Sequence, residues 1–160
     1  MVEIVCGLVI LLFAGCAAMD VVFRRIPNLL VLAASAAFAA LMIVSPPSGQ
    51  TLALHLLAAA LAFTVGAACF AKGWIGGGDV KLAAAVLLWA GPAMAPLVLV
   101  VTGAGGWLFA LIGLAVRRLE RSRAVPVPRW LGALSVTRGV PYGVGLSIGG
   151  ILAVLHLIKG

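Results

Sequence analysis

The stretch LAAAVLLWAGPAMAPLVLVVTGAGGWLFALIGLAV, residues 82–116, contains 35 residues and no charged side chain. One helix needs ~20 apolar residues to cross a hydrocarbon core of about 30 Å. A single helix of 35 residues would be about 52 Å long, well beyond the membrane. The segment AGPAMAP, which contains Gly91, Pro92 and Pro96, predicts a turn that divides the stretch into two membrane spans.

The composition of the whole chain is also that of a membrane protein. Hydrophobic residues make up 64% and charged residues 9% of the chain, whereas about a quarter of the residues of a soluble domain are charged. The apolar runs are continuous and lack the alternation of strands, so a barrel is not expected. We predict an all-α, polytopic membrane protein with about six transmembrane helices, built as a single membrane-embedded domain over residues 1–160. The predicted spans are 4–20, 27–44, 51–71, 76–90, 96–116 and 140–158.

The charges indicate how these spans are oriented. The formal net charge is +7, and the basic residues lie in short tracts between the spans, including the basic segment 117–138. This is the pattern of cytoplasmic loops that face a leaflet of anionic phospholipid, so no nucleic-acid partner is expected. With the N-terminus outside, ten of the eleven Lys and Arg residues fall in cytoplasmic loops, and Lys159 alone lies outside.

The cysteines and the N-terminal segment have plain structural interpretations. Cys6, Cys16 and Cys69 lie in apolar runs without a CxxC pair, so they are expected to be small buried hydrophobes, and no metal or other cofactor is expected.

Residues 1–16 end in LFAGC, which looks like a lipoprotein cleavage site. A signal peptide would start with positive charge, so we interpret this segment as a retained first helix.

Two aspartates stand out because the chain has so few acidic residues. Asp20 ends the first span and Asp79 precedes or begins the fourth, so the six-span topology brings both to the cytoplasmic side at matched depth. An ionisable group near the hydrocarbon costs ~3 kcal/mol on insertion scales and is a functional-site hypothesis by default. The structural alternatives are that Asp20 is a neutralised partner of Arg24 and that Asp79 is a helix N-cap paired with Lys81.

Two facing carboxyl groups can perform acid–base chemistry on a peptide bond. Close together they share one proton, so the ionised member can activate water and the protonated member can stabilise the oxyanion. No serine or cysteine has a histidine placed to serve it. Gly76, Gly77 and Gly78 are expected to admit a substrate backbone and to adopt dihedrals closed to other residues. A phosphate loop is not expected, since Asp79 would repel phosphate.

Three elements of the sequence resemble one family of proteases. GGGD, residues 76–79, fits the GxGD motif of intramembrane aspartyl proteases, and GGGDVKL resembles the second motif of type IV prepilin peptidases. DVVFRRIPN, residues 20–28, resembles their first motif, an aspartate followed by Ile-Pro-Asn. VPYGVGLSIGG, residues 140–150, is similar to the Pro-aromatic-Gly element that opens their last helix. The three elements occur in the family's order over nearly the whole chain.

The resemblance implies an aspartic endopeptidase of the plasma (inner) membrane with its active site facing the cytoplasm. Its substrates would be prepilins and pseudopilins, from which it removes a basic leader, the class III signal peptide. The resemblance assigns catalysis to Asp20 and Asp79. The candidate substrate-binding or site-shaping residues beside them are Gly76, Gly77, Gly78, Lys81, Arg24, Pro27, Asn28, Pro141 and Gly143. The roles considered for Lys81 and Arg24 are to hold the charge state of the two aspartates or to receive a substrate glutamate, and the alternative is anchoring at the cytoplasmic face.

The resemblance also sets limits. The N-terminal region with CxxC motifs found in the larger, methylating members has no counterpart here, so methyltransferase activity is not expected. The short form looks most like the Tad/Cpa-type peptidases of Flp pili. One alternative is an archaeal-type preflagellin peptidase, which shares the GxGD motif. The alternatives from other classes are a small proton- or cation-coupled transporter component that uses Asp20 and Asp79 and a structural assembly subunit.

Overall fold

The chain is helical throughout the part that the structure describes. The computed structural model describes residues 1–122 and 142–159, with residues 119–122 as backbone only. Its helices are α1 (Val2–Phe23), α2 (Asn28–Val44), α3 (Gly49–Ala71), α4 (Gly77–Ser122) and α5 (Tyr142–Lys159). No strand occurs within these ranges, so the predicted all-α fold is confirmed there. Residues 123–138 of the predicted basic segment and Pro141 lie outside the described residues.

Four helices of the described part of the chain are long and apolar enough to cross a membrane. They are Val2–Phe23, Gly49–Ala71, Tyr142–Lys159 and the Gly77–Arg118 part of α4. α2 is also apolar but has 17 residues, which is about 26 Å of helix. Large apolar side chains such as Ile4 and Trp107 are 77% and 73% exposed, as expected for surfaces that face lipid. The protein is therefore a multi-pass membrane protein.

The fourth and fifth predicted spans lie together in the 46-residue helix α4. Its backbone leaves helical geometry at Gly91, where φ is 57° and ψ is −172°, a region that favours glycine. Pro92 follows and has no N–H, so it cannot donate to the carbonyl oxygen of Leu88 four residues earlier. The predicted AGPAMAP turn is thus a sharp break at one residue. On length and hydropathy alone, the helices give four candidate spans instead of the six predicted.

Before this break, α4 runs in the same direction as α5. Val86 lies next to Gly150 in the middle of α5, since an ideal Cβ on Gly150 would be 3.0 Å from Val86 Cγ2. Asp79, at the start of α4, lines the same cavity as Asp20, and Asp20 contacts Gly143 at the start of α5. Increasing residue number in this half of α4 therefore follows increasing residue number in α5.

After the break, the direction is reversed. Val98 lies next to Gly149, whereas Gly106, further along α4, lies next to Tyr142 at the start of α5. The second half of α4 is therefore antiparallel to α5, and the two halves form a helical hairpin that turns at Gly91.

Glycines of α5 allow the second half of α4 to pack closely. An ideal Cβ on Gly145 would lie 3.0 Å from Thr102 Cα, and one on Gly149 would lie 3.2 Å from Val98 Cα. At such distances a side chain would force the α4 backbone to move by a few tenths of an ångström, and small residues are common where membrane helices approach closely. Gly145 and Gly149 are four residues apart, so they lie on the same face of α5.

The turn of the α4 hairpin is held by a group of paired polar and aromatic side chains. His55 on α3 donates from Nδ1 to the carbonyl oxygen of Leu88 at 2.8 Å, the acceptor that Pro92 leaves without its helical donor. Trp89 donates from Nε1 to the Ala34 carbonyl oxygen on α2 at 2.9 Å. Phe38 stacks on His55 and meets Trp89 edge-on. We call His55, Phe38 and Trp89 the turn cluster.

Candidate active site

Asp20 lies on the buried face of α1. The buried residues of this helix recur every three or four positions and are Cys6, Val9, Phe13, Cys16 and Asp20. This spacing corresponds to one face of a helix, so Asp20 continues an apolar stripe into the interior of the bundle. Its side chain is 6% exposed.

The first turn of α5 supplies the polar surroundings of Asp20. The backbone N–H groups of Gly143 and Val144 lie within hydrogen-bonding range of its carboxyl group. N–H groups in the first turn of a helix have no intrahelical acceptor and carry partial positive charge, so they stabilise a carboxylate.

Gly143 meets Asp20 at a distance that excludes any side chain. An ideal Cβ on Gly143 would lie 2.7 Å from Asp20 Oδ2 and 2.8 Å from Ile26 Cδ1. Both contacts are shorter than real Cβ atoms allow, so only glycine lets the α5 backbone approach the carboxyl group. The structure therefore places the predicted residue Gly143 at Asp20, while the predicted residue Pro141 lies outside the described residues.

Asp79 is fixed by a hydrogen bond to the residue that precedes its helix. The carbonyl oxygen of Gly76 accepts from Val80 N–H at 3.2 Å, which makes Gly76 the N-cap of α4. The Asp79 carboxyl group, three residues later, lies within hydrogen-bonding range of the Gly76 N–H, as the third residue of a capping box does. The alternative in which Asp79 is itself the N-cap is therefore wrong. An ideal Cβ on Gly76 would lie 3.0 Å from Asp79 Oδ2.

The next two glycines of the motif pack against protein atoms. An ideal Cβ on Gly77 would lie 3.4 Å from the Phe70 ring, and one on Gly78 would lie 3.3 Å from Ile26 Cβ. Their small size brings the start of α4 close to the end of α3 and to the loop that follows α1.

These glycines do not need unusual backbone angles. Among the described glycines, positive φ occurs at Gly73 and Gly91 and at none of residues 76–78. The expectation that this run adopts dihedrals closed to other residues is therefore wrong. Space on the inner side is short at Gly76 and Gly78, whereas a Cβ on Gly77 would make an ordinary contact with Phe70.

Asp20 and Asp79 line one open cavity of about 320 Å³. The other lining residues are Arg24, Arg25, Ile26, Asn28, Gly76, Gly77 and Gly78. The two carboxyl groups are close enough for each charge to repel the other. Asp20 Oδ2 and Asp79 Oδ1 are buried and accept no hydrogen bond from the described residues. Because a buried polar atom without a partner is destabilising by ~1–3 kcal/mol, this arrangement is typical of a site that receives a further polar group.

Arg24 ends α1 and borders the cavity. Its backbone N–H donates to the Asp20 carbonyl oxygen at 3.0 Å, and its φ of 54° and ψ of 34° place it in the left-handed region. The guanidinium group attracts the Asp20 carboxylate. The predicted pairing of Asp20 with Arg24 is thus present as an electrostatic interaction beside the cavity.

Lys81 and Asn28 connect the two motifs at the rim. Lys81 Nζ donates to Asn28 Oδ1 at 3.0 Å, which ties the first turns of α4 to the first residue of α2. Both side chains are exposed. Pro27 is the N-cap of α2, with φ of −64° and ψ of 129°, and it is not one of the residues that line the cavity.

The residues that the sequence did not identify are Ile26, Arg25 and Val144. Ile26 lies in the quoted motif DVVFRRIPN and lines the cavity, where it contacts both Gly78 and Gly143. Ile26 was visible in the motif between Arg25 and Pro27. The motif alone does not indicate which of these residues faces the cavity. Val144 contributes a backbone amide, for which a sequence carries no signal.

A comparison with protein families fits this geometry. A model of the type IV leader peptidase family matches residues 6–114, which is more than half of the chain. The chain belongs to the type IV leader peptidase family. The resemblance to prepilin peptidases is thereby confirmed at the family level, and the family implies a peptidase with prepilin-type substrates in general. A comparison with curated proteins found no match, and a comparison with solved structures found none.

The matched region of this leader peptidase contains both aspartates but not α5. It extends from α1 into the second half of α4. The amides of Gly143 and Val144, which contact Asp20, lie beyond its end. The surroundings of Asp20 therefore depend on a helix outside the matched region.

Proposed function

We propose that this leader peptidase is an aspartic endopeptidase that removes the basic leader from type IV or Flp-type prepilins and pseudopilins. The observation that carries the proposal is the position of Asp20 and Asp79, the two aspartates of the chain. They line one cavity, and each has a buried oxygen without a partner among the described residues. Two carboxyl groups in one site can divide the roles of acid and base.

In the proposed reaction, the ionised carboxyl group takes a proton from water while the water oxygen attacks the scissile carbonyl carbon. The protonated carboxyl group donates a hydrogen bond to the carbonyl oxygen, on which negative charge develops. The C–N bond of the tetrahedral intermediate then breaks, and the leaving amine receives the proton that came from water. One water is consumed, and the pair again holds a single proton.

We further propose that the chain crosses the membrane six times with its N-terminus outside. The reversal of α4 at Gly91 supports two crossings by this helix. The first half, residues 77–90, spans about 21 Å, less than the hydrocarbon core. Asp79 would then lie below the membrane surface, and the glycine run before it would be packed in protein at that depth, as the contacts of Gly77 and Gly78 allow.

The charge distribution supports a cytoplasmic active site. Arg24 and Arg25 line the cavity, and basic residues in short loops favour the cytoplasmic side. A leader that stays in the cytoplasm ahead of a membrane-inserted helix would reach this side. We therefore place the protein in the plasma (inner) membrane, in contact with anionic phospholipid, with its catalytic cavity at the cytoplasmic face.

The proposal predicts that both aspartates are required for cleavage. Wild type, Asp20→Asn and Asp79→Asn would each be co-expressed with a Flp-type prepilin, and leader removal would be followed by gel shift and mass. Wild type should cut between leader and hydrophobic helix, and each variant should lose about 10²–10⁴-fold in rate because general acid–base catalysis contributes a factor of that order. Both variants should insert normally. The mass would also show whether the new N-terminus is unmethylated.

Glu3→Gln is the matched control, since it makes the same carboxylate-to-amide change at the opposite end of α1. It should cleave like wild type. Cleavage by Asp20→Asn or Asp79→Asn would remove that residue from the mechanism. An intact prepilin with wild type, together with cleavage of an archaellin-type substrate, would move the assignment to a preflagellin peptidase. If neither is cut, the peptidase proposal fails.

A further inference from the structure

Arg24 occupies a backbone conformation that suits glycine better than arginine. It is the one described non-glycine residue with positive φ, at the C-cap of α1. The left-handed region disfavours an L-residue by roughly 1–2 kcal/mol, and helices that end this way usually carry glycine at the left-handed position. Glycine would make the same N–H bond to the Asp20 carbonyl oxygen, so the backbone does not explain an arginine here.

The Arg24 side chain, by contrast, acts on the site. It lines the cavity that contains both carboxyl groups and attracts the Asp20 carboxylate. An outlier in backbone conformation that persists at a site of this kind is a recognised pointer to a functional constraint.

The charged and polar groups around the two aspartates differ. Asp20 has the Arg24 guanidinium and two backbone amides from the first turn of α5. Among the described residues, Asp79 has the backbone amide of Gly76 and the repulsion of Asp20. Among the described residues near the start of α4, the other cations are Arg25, exposed at the cavity rim, Lys81, which donates to Asn28, and Lys72, whose Nζ lies 4.7 Å from the centre of the Trp74 ring.

We propose that Arg24 is a positioning residue that keeps Asp20 as the ionised member of the pair, so that Asp20 activates the water and Asp79 carries the proton. This assignment of roles rests on the proposed peptidase function. It follows from the unequal surroundings, because two adjacent carboxyl groups that share one proton place the negative charge where cations and amide dipoles stabilise it.

The composition of the chain allows a direct test that needs no substrate. Because Asp20 and Asp79 are its two aspartates, the full chain labelled with ¹³C-aspartate gives two side-chain carboxyl signals, assigned with Asp20→Asn and Asp79→Asn. On acidification of wild type, the Asp79 signal should move to its protonated position before the Asp20 signal does. The opposite order would overturn the assignment.

Three variants separate the charge of Arg24 from its backbone. Arg24→Gly removes the charge and relieves the left-handed conformation, Arg24→Lys keeps the charge, and Arg25→Gly removes a neighbouring charge from the same cavity. Arg24→Gly should be at least as resistant to thermal unfolding as wild type. Its Asp20 signal should protonate roughly one pH unit or more higher, and Arg24→Lys should restore most of that shift. An equal shift in Arg25→Gly, or none in Arg24→Gly, would contradict a specific role for Arg24.

The same variants are then assayed for cleavage of the Flp-type prepilin across pH. Arg24→Gly should move the acid limb of the activity profile to higher pH, and Arg24→Lys should move it back. If wild type cleaves the prepilin and the acid limb of the Arg24→Gly profile lies at the same pH as that of wild type, the role of Arg24 is overturned. The peptidase function is then unaffected. A wild type that cuts neither prepilin nor archaellin overturns the peptidase function, whatever the carboxyl signals do.

Discussion

The two ends of the helical bundle differ in whether their polar side chains are hydrogen-bonded within the protein. In the turn cluster, the His55 Nδ1–H and the Trp89 Nε1–H each have a backbone carbonyl acceptor within 2.8 and 2.9 Å. Around the cavity, Asp20 Oδ2 and Asp79 Oδ1 are buried without a partner among the described residues. One end thus satisfies its hydrogen bonds within the fold, whereas the other leaves acceptors open.

This difference indicates that one end of the bundle contributes to stability and the other to catalysis. A buried polar group that is fully paired contributes to a well-defined fold, and an unpaired one is retained where a site needs it. We therefore expect changes near the cavity to lower the catalytic rate of a molecule that still folds. Changes in the turn cluster should lower the free energy of unfolding and leave the rate per folded molecule unchanged.

Among the glycine substitutions, the largest effect on the cleavage rate is expected at Gly143. In Gly143→Ala the new Cβ would lie 2.7 Å from Asp20 Oδ2, so the carboxyl group or the start of α5 must shift. Since a displacement of about 1 Å can reduce the rate by ~10²-fold, cleavage of the prepilin should fall about 100-fold. The measurement is the single-turnover rate of leader removal with purified protein.

Gly145→Ala is the control for this change. It crowds Thr102 on α4 and not the carboxyl group, so it should reduce the stability of the α4–α5 contact and leave the rate per folded molecule within a few-fold of wild type. Equal losses of rate in both variants would mean that Gly143 matters for helix packing alone, and the proposed separation would fail at this end.

At the other end, Gly91→Ala should have the largest effect on stability. Its Cβ would lie 2.5 Å from His55 Nε2, and the residue has a φ of 57°. Left-handed strain and overpacking together should lower the free energy of unfolding by about 2–4 kcal/mol. Unfolding of the purified protein in a denaturing detergent series would measure it.

Gly103→Ala makes the same substitution in the same helix where a Cβ would meet nothing within 4 Å. It should be neutral or stabilise the helix by up to about 1 kcal/mol. A Gly91→Ala protein as stable as Gly103→Ala would show that the hairpin turn does not require glycine.

A smaller loss is expected when His55 is changed. His55→Phe keeps an aromatic ring beside Phe38 but leaves the Leu88 carbonyl oxygen without a donor, which should lower the free energy of unfolding by about 1–3 kcal/mol. His55→Asn keeps an N–H at the same distance along the side chain and should recover part of the loss. If His55→Phe cleaves more slowly than wild type at the same folded fraction, the turn cluster also affects catalysis. That result would contradict the division of roles between the two ends of the bundle.

The fold class could be predicted because membrane helices leave a strong local signal. Uncharged runs of about 20 residues predict helices on composition alone, and the all-helical fold is confirmed for residues 1–122 and 142–159. The proline at position 92 and the glycine before it predicted the turn. The hydrogen bond from His55 to the Leu88 carbonyl oxygen joins residues 33 positions apart, and no local sequence pattern indicates such a contact.

The candidate site was predictable in its residue types and less so in its contacts. Motif spacing pointed to Asp20, Asp79 and the glycine run, and their catalytic roles stay predictions. The expectation of unusual dihedrals at residues 76–78 was wrong, whereas close approach of a substrate backbone stays a prediction. The short space beside Gly78 depends on Ile26, which only the packed structure brings there. The buried stripe of α1 that ends at Asp20 could have been found from its three- and four-residue spacing.

The contact between Asp20 and α5 also has a consequence in time. Asp20 precedes Gly143 by 123 residues, and a ribosome adds roughly 5–20 residues per second. For about 6–25 s, a nascent chain therefore holds the Asp20 carboxyl group without the two amides that flank it in the finished protein. Synthesis itself thus delays completion of this pocket, and an incompletely translated chain would carry both aspartates but lack the α5 amides at Asp20.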